Sequence, residues 1–238
     1  FGTLAGGPKQ AFVQSQENGQ AFLLNINGDC HAILPKHVIG NEIGADLTFI
    51  DNIKTQASLA HVFGYDLAIL ETTNNPDINC RESSTYLKTE SLSNLLNTTK
   101  TVIVSTINSD GSISNLPALI TDTGLVYFHI YPLQKGVSFQ QGMSGSLVST
   151  QQVNLGTLMS VDPETGNGIV LRMDRLYETI RPFIDNLNRQ NNPSQKYSED
   201  KNLLVNADFS EPYTVGWTRI DGLDTNVLRR VETKNASV

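Results

Sequence analysis

A serine flanked by glycines stands in the segment 142–147, Gly-Met-Ser-Gly-Ser-Leu, directly before an apolar run. Glycines on both sides of Ser144 permit a sharp turn and a close approach of substrate to the backbone. A serine hydroxyl becomes a good nucleophile where a histidine takes its proton and backbone N–H groups stabilise an oxyanion. Gly-x-Ser-Gly also occurs in plain turns. Nucleophilic chemistry at Ser144 therefore requires a base and an acid elsewhere in the chain.

The best candidate for the base is His37, one of four histidines in the chain. It follows an apolar run that ends at Pro35-Lys36, so we expect it at the end of a strand, exposed to a cleft. His31 and His61 lie within predicted strands and read as core or surface positions. The candidate acid is Asp66, which opens an apolar strand. A carboxylate there can hold a histidine ring in one tautomer, although a single acid at a strand edge is also often only solvated.

The elements that must position these residues are short strands. Apolar segments separated by turn signals recur roughly every 8–12 residues, which is typical of a β-barrel or sandwich. A polar stretch at 71–100, rich in Asn, Ser and Thr, predicts a long connection between two halves. An amphipathic helix is predicted from an Asp174 cap, with a bend or break near Arg181 because Pro182 interrupts the pattern. The predicted strands are 11–13, 21–26, 30–34, 46–50, 58–63, 66–70, 101–105, 112–120, 125–130, 146–149, 155–161 and 168–171.

Composition narrows the class of protein. The 238 residues, 39% of them hydrophobic, suffice for one large β-domain or two small ones with a real core. A formal charge of -7 argues against a nucleic-acid partner, which requires a basic surface. No apolar run approaches the roughly 18 residues of a membrane span, and no signal peptide is visible. The chain begins at Phe1, so a removed segment fits as well as a chain cut at this point, and cytoplasmic and secreted or periplasmic locations both stay open.

The two cysteines, Cys30 and Cys80, permit one disulfide but no disulfide framework. We expect isolated buried thiols. Neither cysteine has a second thiol nearby in sequence, so we expect no zinc site, and nothing in the chain calls for a cofactor.

Three segments resemble trypsin-like (chymotrypsin-fold) serine proteases of the bacterial type. The stretch 31–39, His-Ala-Ile-Leu-Pro-Lys-His-Val-Ile, is similar to their catalytic-histidine segment. The stretch 65–70, Tyr-Asp-Leu-Ala-Ile-Leu, is similar to their Asp-Leu-Ala-Leu-Leu strand, and 142–148 is similar to their Gly-Asn-Ser-Gly-Gly-Pro-Leu loop. The order His, Asp, Ser is that of the family, and the resemblance covers roughly residues 10–188.

The resemblance implies an all-β fold of two antiparallel six-stranded barrels with a C-terminal α-helix and an extended tail. It also implies a serine endopeptidase with His37, Asp66 and Ser144 as its triad, in which the N–H groups of Gly142 and Ser144 form the oxyanion hole. Met143 stands where digestive trypsins have an acid that binds a freed N-terminus, so that mode of activation is not expected. Ser138 is placed near the base of the specificity pocket, and Ser160 on a wall where substrate adds as a strand. His129 either faces the pocket or is a strand histidine with a partner of its own.

The domain boundaries follow from these expectations. We expect a protease domain over 1–188, comprising barrel 1 at about 10–95, barrel 2 at about 100–173 and the helix at about 174–188. A linker is expected at 189–201. The tail, 202–238, weakly resembles the first strand of galactose-binding-like jelly-roll modules, so it is either a partial β-sandwich or an extension packed on the barrel.

A second reading of function belongs to another class: a catalytically inactive protease-like binding module, associated with glycans through its tail. In either case the expected partner is a protein or peptide, with further domains or a regulatory partner outside this chain left open. An α/β-hydrolase would require alternating helices and strands and the order Ser, Asp, His, and the sequence has neither.

Overall fold

A computed structural model of the chain describes residues 10–73, 89–150 and 153–191. It contains two closed antiparallel barrels of six strands each, in the orders β1-β2-β3-β6-β5-β4 and β10-β11-β12-β9-β8-β7. The predicted fold class is thereby confirmed. The strands are β1 Gln10–Gln14, β2 Asn18–Ile26, β3 Asp29–Pro35, β4 Gly44–Thr48, β5 Lys54–Phe63, β6 Leu67–Thr72, β7 Thr101–Ile107, β8 Ile113–Thr123, β9 Tyr127–Pro132, β10 Leu147–Ser149, β11 Asn154–Val161 and β12 Gly168–Arg172.

The first barrel has strands that are buried on both faces. In β2, Ala21 and Leu23 point into the barrel interior, whereas Phe22 and Leu24 belong to the apolar cluster that includes the core of the second barrel. Ile33 of β3 and Ile69 of β6 join that same cluster. This two-sided burial explains why these strands read as continuous apolar runs rather than as alternating patterns. It also fixes which face of β2 is turned toward barrel 2.

Within the described residues, four helical segments accompany the strands. They are α1 Lys36–Ile39, a 3-10 turn at Ile50–Asn52, α2 Thr89–Thr98 and α3 Met173–Asn191. Helix α3 begins at Met173, one residue before Asp174, and Asp174 is therefore not the N-cap. Its carboxylate instead accepts a hydrogen bond from Arg172. The helix is continuous across Pro182, so of the bend or break expected near Arg181 the break does not occur. It also extends to Asn191, three residues into the predicted linker.

The long connection predicted at 71–100 contains a helix, α2, that its composition did not indicate. Leu92 and Leu96 are buried at a spacing of one helical turn, and Leu95 packs beside them. The Asn and Ser content of the segment favours loops, but the burial of these leucines overrides it. None of the helices among the described residues is long and apolar enough to span a membrane.

Cys30 is disulfide-bonded, contrary to the expectation of isolated thiols. The other cysteine, Cys80, lies outside the described residues, as does the predicted tail at 202–238. A unit boundary falls between Asn191 and Asn192.

Candidate active site

His37 and Asp66 form a close side-chain pair in barrel 1. The His37 Nδ1 lies 2.5 Å from Asp66 Oδ2, and the backbone N–H of His37 donates to Asp66 Oδ1 at 3.1 Å. Both carboxylate oxygens are thus engaged by one residue. Because an ionised carboxylate only accepts hydrogen bonds, the proton of the neutral ring resides on Nδ1. The Nε2 atom has no hydrogen-bond partner among the described residues, and the two side chains are 35% and 45% exposed.

The local backbone explains how the two residues meet. Strand β3 ends at Pro35, which is the N-cap of α1, so His37 leaves the sheet immediately after the strand. Asp66 precedes β6 and has a φ of 56°, in the left-handed region where Asp is one of the few tolerated residues. The backbone N–H of Lys36 donates to the carbonyl of Asp66 at 2.7 Å. This bond continues the β3–β6 pairing beyond the strands and sets the separation of His37 and Asp66.

Tyr127, the first residue of β9 in barrel 2, lies near the His37–Asp66 pair. Its ring contacts that of Tyr65 edge-on at a centroid distance of 6.3 Å. Burial raises the pKa of the Tyr127 hydroxyl, with further contributions from Tyr65 and the charge of Asp66. The Asp66 carboxylate therefore contributes to the electrostatic environment of Tyr127 on β9.

The Ser144 loop forms two consecutive turns before β10. Gly142 and Gly145 have φ values of 92° and 93°, a conformation that side chains rarely adopt. The N–H of Met143 donates to Gln140, that of Gly145 to Leu158, and that of Ser146 to Met143. The N–H groups of Gly142 and Ser144 have no acceptor within the described part of the chain. The two amides that the resemblance implies for an oxyanion hole are thus left unbonded by the fold.

The Ser144 loop packs directly on the segments that flank His37. A Cβ at Gly145 would lie 1.8 Å from the Gln20 carbonyl oxygen and 3.0 Å from Pro35. A Cβ at Gly19 would lie 2.6 Å from the side chain of Val38 and 3.1 Å from the Ser144 carbonyl oxygen. Only glycine fits at these two positions, and the loop of barrel 2 can therefore reach the strand and helix that hold the histidine.

The structure thus brings His37 and Asp66 into hydrogen-bond contact and places the Ser144 loop beside them. Within the described residues, no hydrogen bond joins the Ser144 hydroxyl to the His37 ring. Such bonds in serine nucleophile sites often form fully only when substrate is bound. Gly19 and Gln20, which contact the loop, carried no chemical signal in the sequence.

The three predicted substrate-binding residues lie at separate positions in barrel 2. Ser138 is exposed in the loop after β9, followed by the buried Phe139, and Ser160 is exposed beside an irregularity in the β11–β12 pairing. His129 lies between the buried residues Phe128 and Ile130, so its side chain is on the outer face. Its Nδ1 is 3.8 Å from an Asp122 carboxylate oxygen. The part of each in substrate binding stays a prediction.

Among the described residues there is no group of three or more His, Cys, Asp or Glu side chains arranged to hold a metal ion.

The two barrels with this site between them define the chymotrypsin-like fold, the fold of the trypsin-like serine proteases. Neither a known family's sequence profile nor a curated protein matches the sequence. Solved structures do match. The Rv3671c protease in its inactive form is 16% identical with a TM-score of 0.53, covering 74% of this chain and 88% of its own.

Two further structures are similar to the same degree. The serine endoprotease of Yersinia pestis is 17% identical with a TM-score of 0.54, covering 76% of this chain and 64% of its own. The HtrA-type protease AlgW with a tripeptide is 14% identical with a TM-score of 0.56, covering 74% and 60%. At these identities the likeness establishes the fold.

Proposed function

We propose that this chain is a serine endopeptidase that cleaves peptide bonds through an acyl-enzyme intermediate. Ser144 attacks the scissile carbonyl, and His37 takes the serine proton and passes it to the leaving amine. Asp66 orients the His37 ring and stabilises its charged form. The N–H groups of Gly142 and Ser144 bind the oxyanion of the tetrahedral intermediate.

The observation that carries the proposal is the way Asp66 holds His37. A carboxylate bonded at 2.5 Å to Nδ1 keeps the ring proton there and leaves Nε2 as the free base. The second carboxylate oxygen binds the backbone of the same residue, which fixes the ring relative to the chain. This is the arrangement in which the histidine of a Ser-His-Asp triad accepts the serine proton through Nε2.

The oxyanion stabilisation rests on the loop. The N–H groups of Gly142 and Ser144 have no acceptor among the described residues, whereas those of Met143, Gly145 and Ser146 between and after them are bonded. Preorganised donors of this kind stabilise developing charge without reorganisation at the moment of reaction, and losing one typically costs about 10²–10³ in rate.

The substrate class follows from the chemistry and from the neighbours. The similar structures are described as proteases, and one holds a tripeptide, which supports peptides or proteins as substrates here. We propose Ser138, Ser160 and His129 as substrate contacts. Ser138 is not an acid, so a preference for Arg or Lys before the cleaved bond has no evident basis.

A fluorophosphonate probe tests the nucleophile. We expect wild type to be labelled on Ser144, as located by mass spectrometry, and Ser144→Ala to be unlabelled and to lose peptidase activity by a factor on the order of 10⁶. Ser146→Ala is the matched control, because Ser146 is in the same loop but its hydroxyl is fully buried. Turnover by Ser144→Ala comparable to wild type would exclude Ser144 as nucleophile.

The alternative function, an inactive protease-like binding module, gives the opposite result in the same assay. It predicts no labelling of a wild-type chain that melts cooperatively. A peptide-library cleavage profile, measured against Ser144→Ala, then defines the residues preferred around the cleaved bond.

A further inference from the structure

Gln20 is a buried polar residue in an apolar interface. It is 2% exposed and lies on β2, in the alternating set with Phe22 and Leu24 that faces barrel 2. A glutamine is seldom buried unless its amide is fully hydrogen-bonded, since an unpaired buried polar group costs about 1–3 kcal/mol. Its partners therefore show what the residue does.

All the partners of the Gln20 amide belong to barrel 2. Oε1 accepts the N–H of Ile107 at 2.8 Å, and Nε2 donates to the carbonyl of Ile107 at 3.0 Å. Nε2 also donates to the carbonyl of Gly142 at 3.1 Å. Only this orientation of the amide works, because the flipped one would set its oxygen against two carbonyls. Ile107 ends β7, so the amide ties the rigid edge of a strand to the Ser144 loop.

The backbone of Gln20 holds the same loop at two more points. Its N–H donates to the carbonyl of Ser144 at 2.7 Å. Its carbonyl oxygen lies where a side chain on Gly145 would have to be. One residue of barrel 1 thus restrains Gly142, Ser144 and Gly145, across more than 120 positions of sequence.

The side-chain bond determines the orientation of one peptide plane. The carbonyl of Gly142 and the N–H of Met143 belong to the same peptide group. Gln20 binds the carbonyl, and the carbonyl of Gln140 accepts the N–H at 3.1 Å. The Gly142 N–H belongs to the preceding peptide group, so the held 142–143 plane gives Gly142 a fixed end, while Gly142 itself, with a φ of 92° and no side chain, adds no steric restraint.

We propose that Gln20 is a positioning residue that holds the Ser144 loop in the form with the Gly142 and Ser144 N–H groups free. The proposal rests on the proposed peptidase function. It explains how the loop keeps its shape although Met143 can form no ion pair. The restraint is an uncharged amide within the folded domain, so it requires no chain cleavage and does not titrate.

The test compares equal substitutions at two buried glutamines. Gln20→Met keeps the side-chain length and removes every hydrogen bond of the side-chain amide. Gln10→Met is the matched control: Gln10 is also buried, and its Nε2 donates across the barrels to the Ser105 carbonyl at 2.9 Å. Ser105 lies on β7 and pairs with Leu147 of β10, and within the described residues the Gln10 amide makes no hydrogen bond to residues 142–146. We expect Gln20→Met to lower kcat by about 10–100-fold with KM changed less than about threefold, and Gln10→Met to leave both within about threefold.

Gln20→Leu provides a second variant should Gln20→Met fail to fold. Leucine is uncharged and close to glutamine in volume, and it removes the side-chain bonds to Ile107 and Gly142 without placing a charge against their carbonyl oxygens. We expect it to melt cooperatively and to show the same loss of kcat. Retention of kcat within threefold by the folded Gln20 variants, or an equal loss in Gln10→Met, would overturn the proposal.

Hydrogen exchange separates this proposal from the peptidase function. In a Ser144→Ala background, the bonded amides of Met143, Gly145 and Ser146 should exchange at least about tenfold faster in Gln20→Met or Gln20→Leu than in Gln10→Met. Equal exchange refutes the positioning role of Gln20 even if wild type is an active protease. Faster exchange supports it even if wild type neither reacts with fluorophosphonate nor cleaves peptides, in which case only the peptidase function fails.

Discussion

At the scale of single residues, the proposed role of His37 as base predicts how the proposed peptidase activity depends on pH. A ring that must accept the Ser144 proton is inactive once it is protonated, and imidazole is the side chain that changes charge near neutrality. We expect kcat/KM to fall with acidification, because a protonated ring cannot take the serine proton. Circular dichroism over the same range is the control for unfolding. A flat activity profile down to pH 4 would contradict the assignment of His37 as base.

Ser146 provides a second prediction at this scale. Its hydroxyl is buried and has no hydrogen-bond partner among the described residues, whereas its N–H and carbonyl are bonded through the backbone. Removing an unsatisfied buried hydroxyl relieves a desolvation cost of about 1–3 kcal/mol. We expect Ser146→Ala to raise the free energy of unfolding by up to about 1 kcal/mol, measured by denaturant titration. A loss of stability would mean that the hydroxyl has an acceptor in solution.

The sequence predicted the residues that carry a recognisable chemical type and missed those that act through contacts. His37, Asp66 and Ser144 stand in short motifs with a known order. Gln20 is one glutamine in an apolar strand, and its partners Ile107 and Gly142 are 87 and 122 positions away. The hydrogen bonds of Gln20 depend on the face of β2 that packs against the Ser144 loop once both barrels are closed. No local sequence pattern encodes that contact.

At the scale of elements, the strands could be predicted because their apolar runs and turn residues are local signals. The 3.6-residue period of α3 was equally clear, and its continuity through Pro182 shows that tertiary packing outweighed the local penalty. Helix α2 was missed because its polar composition is typical of loops. Its signal was the spacing of Leu92, Leu95 and Leu96, which is three and four residues.

At the scale of the whole molecule, Arg172 connects elements that are far apart along the chain. Its guanidinium donates to both oxygens of Asp174 on α3, at 3.1 and 2.9 Å, to the Ser93 hydroxyl on α2 at 2.8 Å, and to the Gly124 carbonyl at 3.0 Å. The side chains of Arg172 and Asp174 are 4% and 0% exposed. A buried guanidinium left without its carboxylate is strongly destabilising, at about 3–5 kcal/mol.

We therefore expect Asp174→Asn to lower the free energy of unfolding by about 3–5 kcal/mol, since the shape of the side chain is kept while the charge opposite Arg172 is lost. Glu178→Gln is the matched control on the same helix. Its pair with Arg175 joins atoms 2.6 Å apart, but the two side chains are 28% and 42% exposed, so water screens the pair and its loss should cost about 0–1 kcal/mol. Both changes in the free energy of unfolding are to be measured by denaturant titration at neutral pH. Equal effects of the two substitutions would show that the buried pair is not what joins helices α2 and α3 to barrel 2.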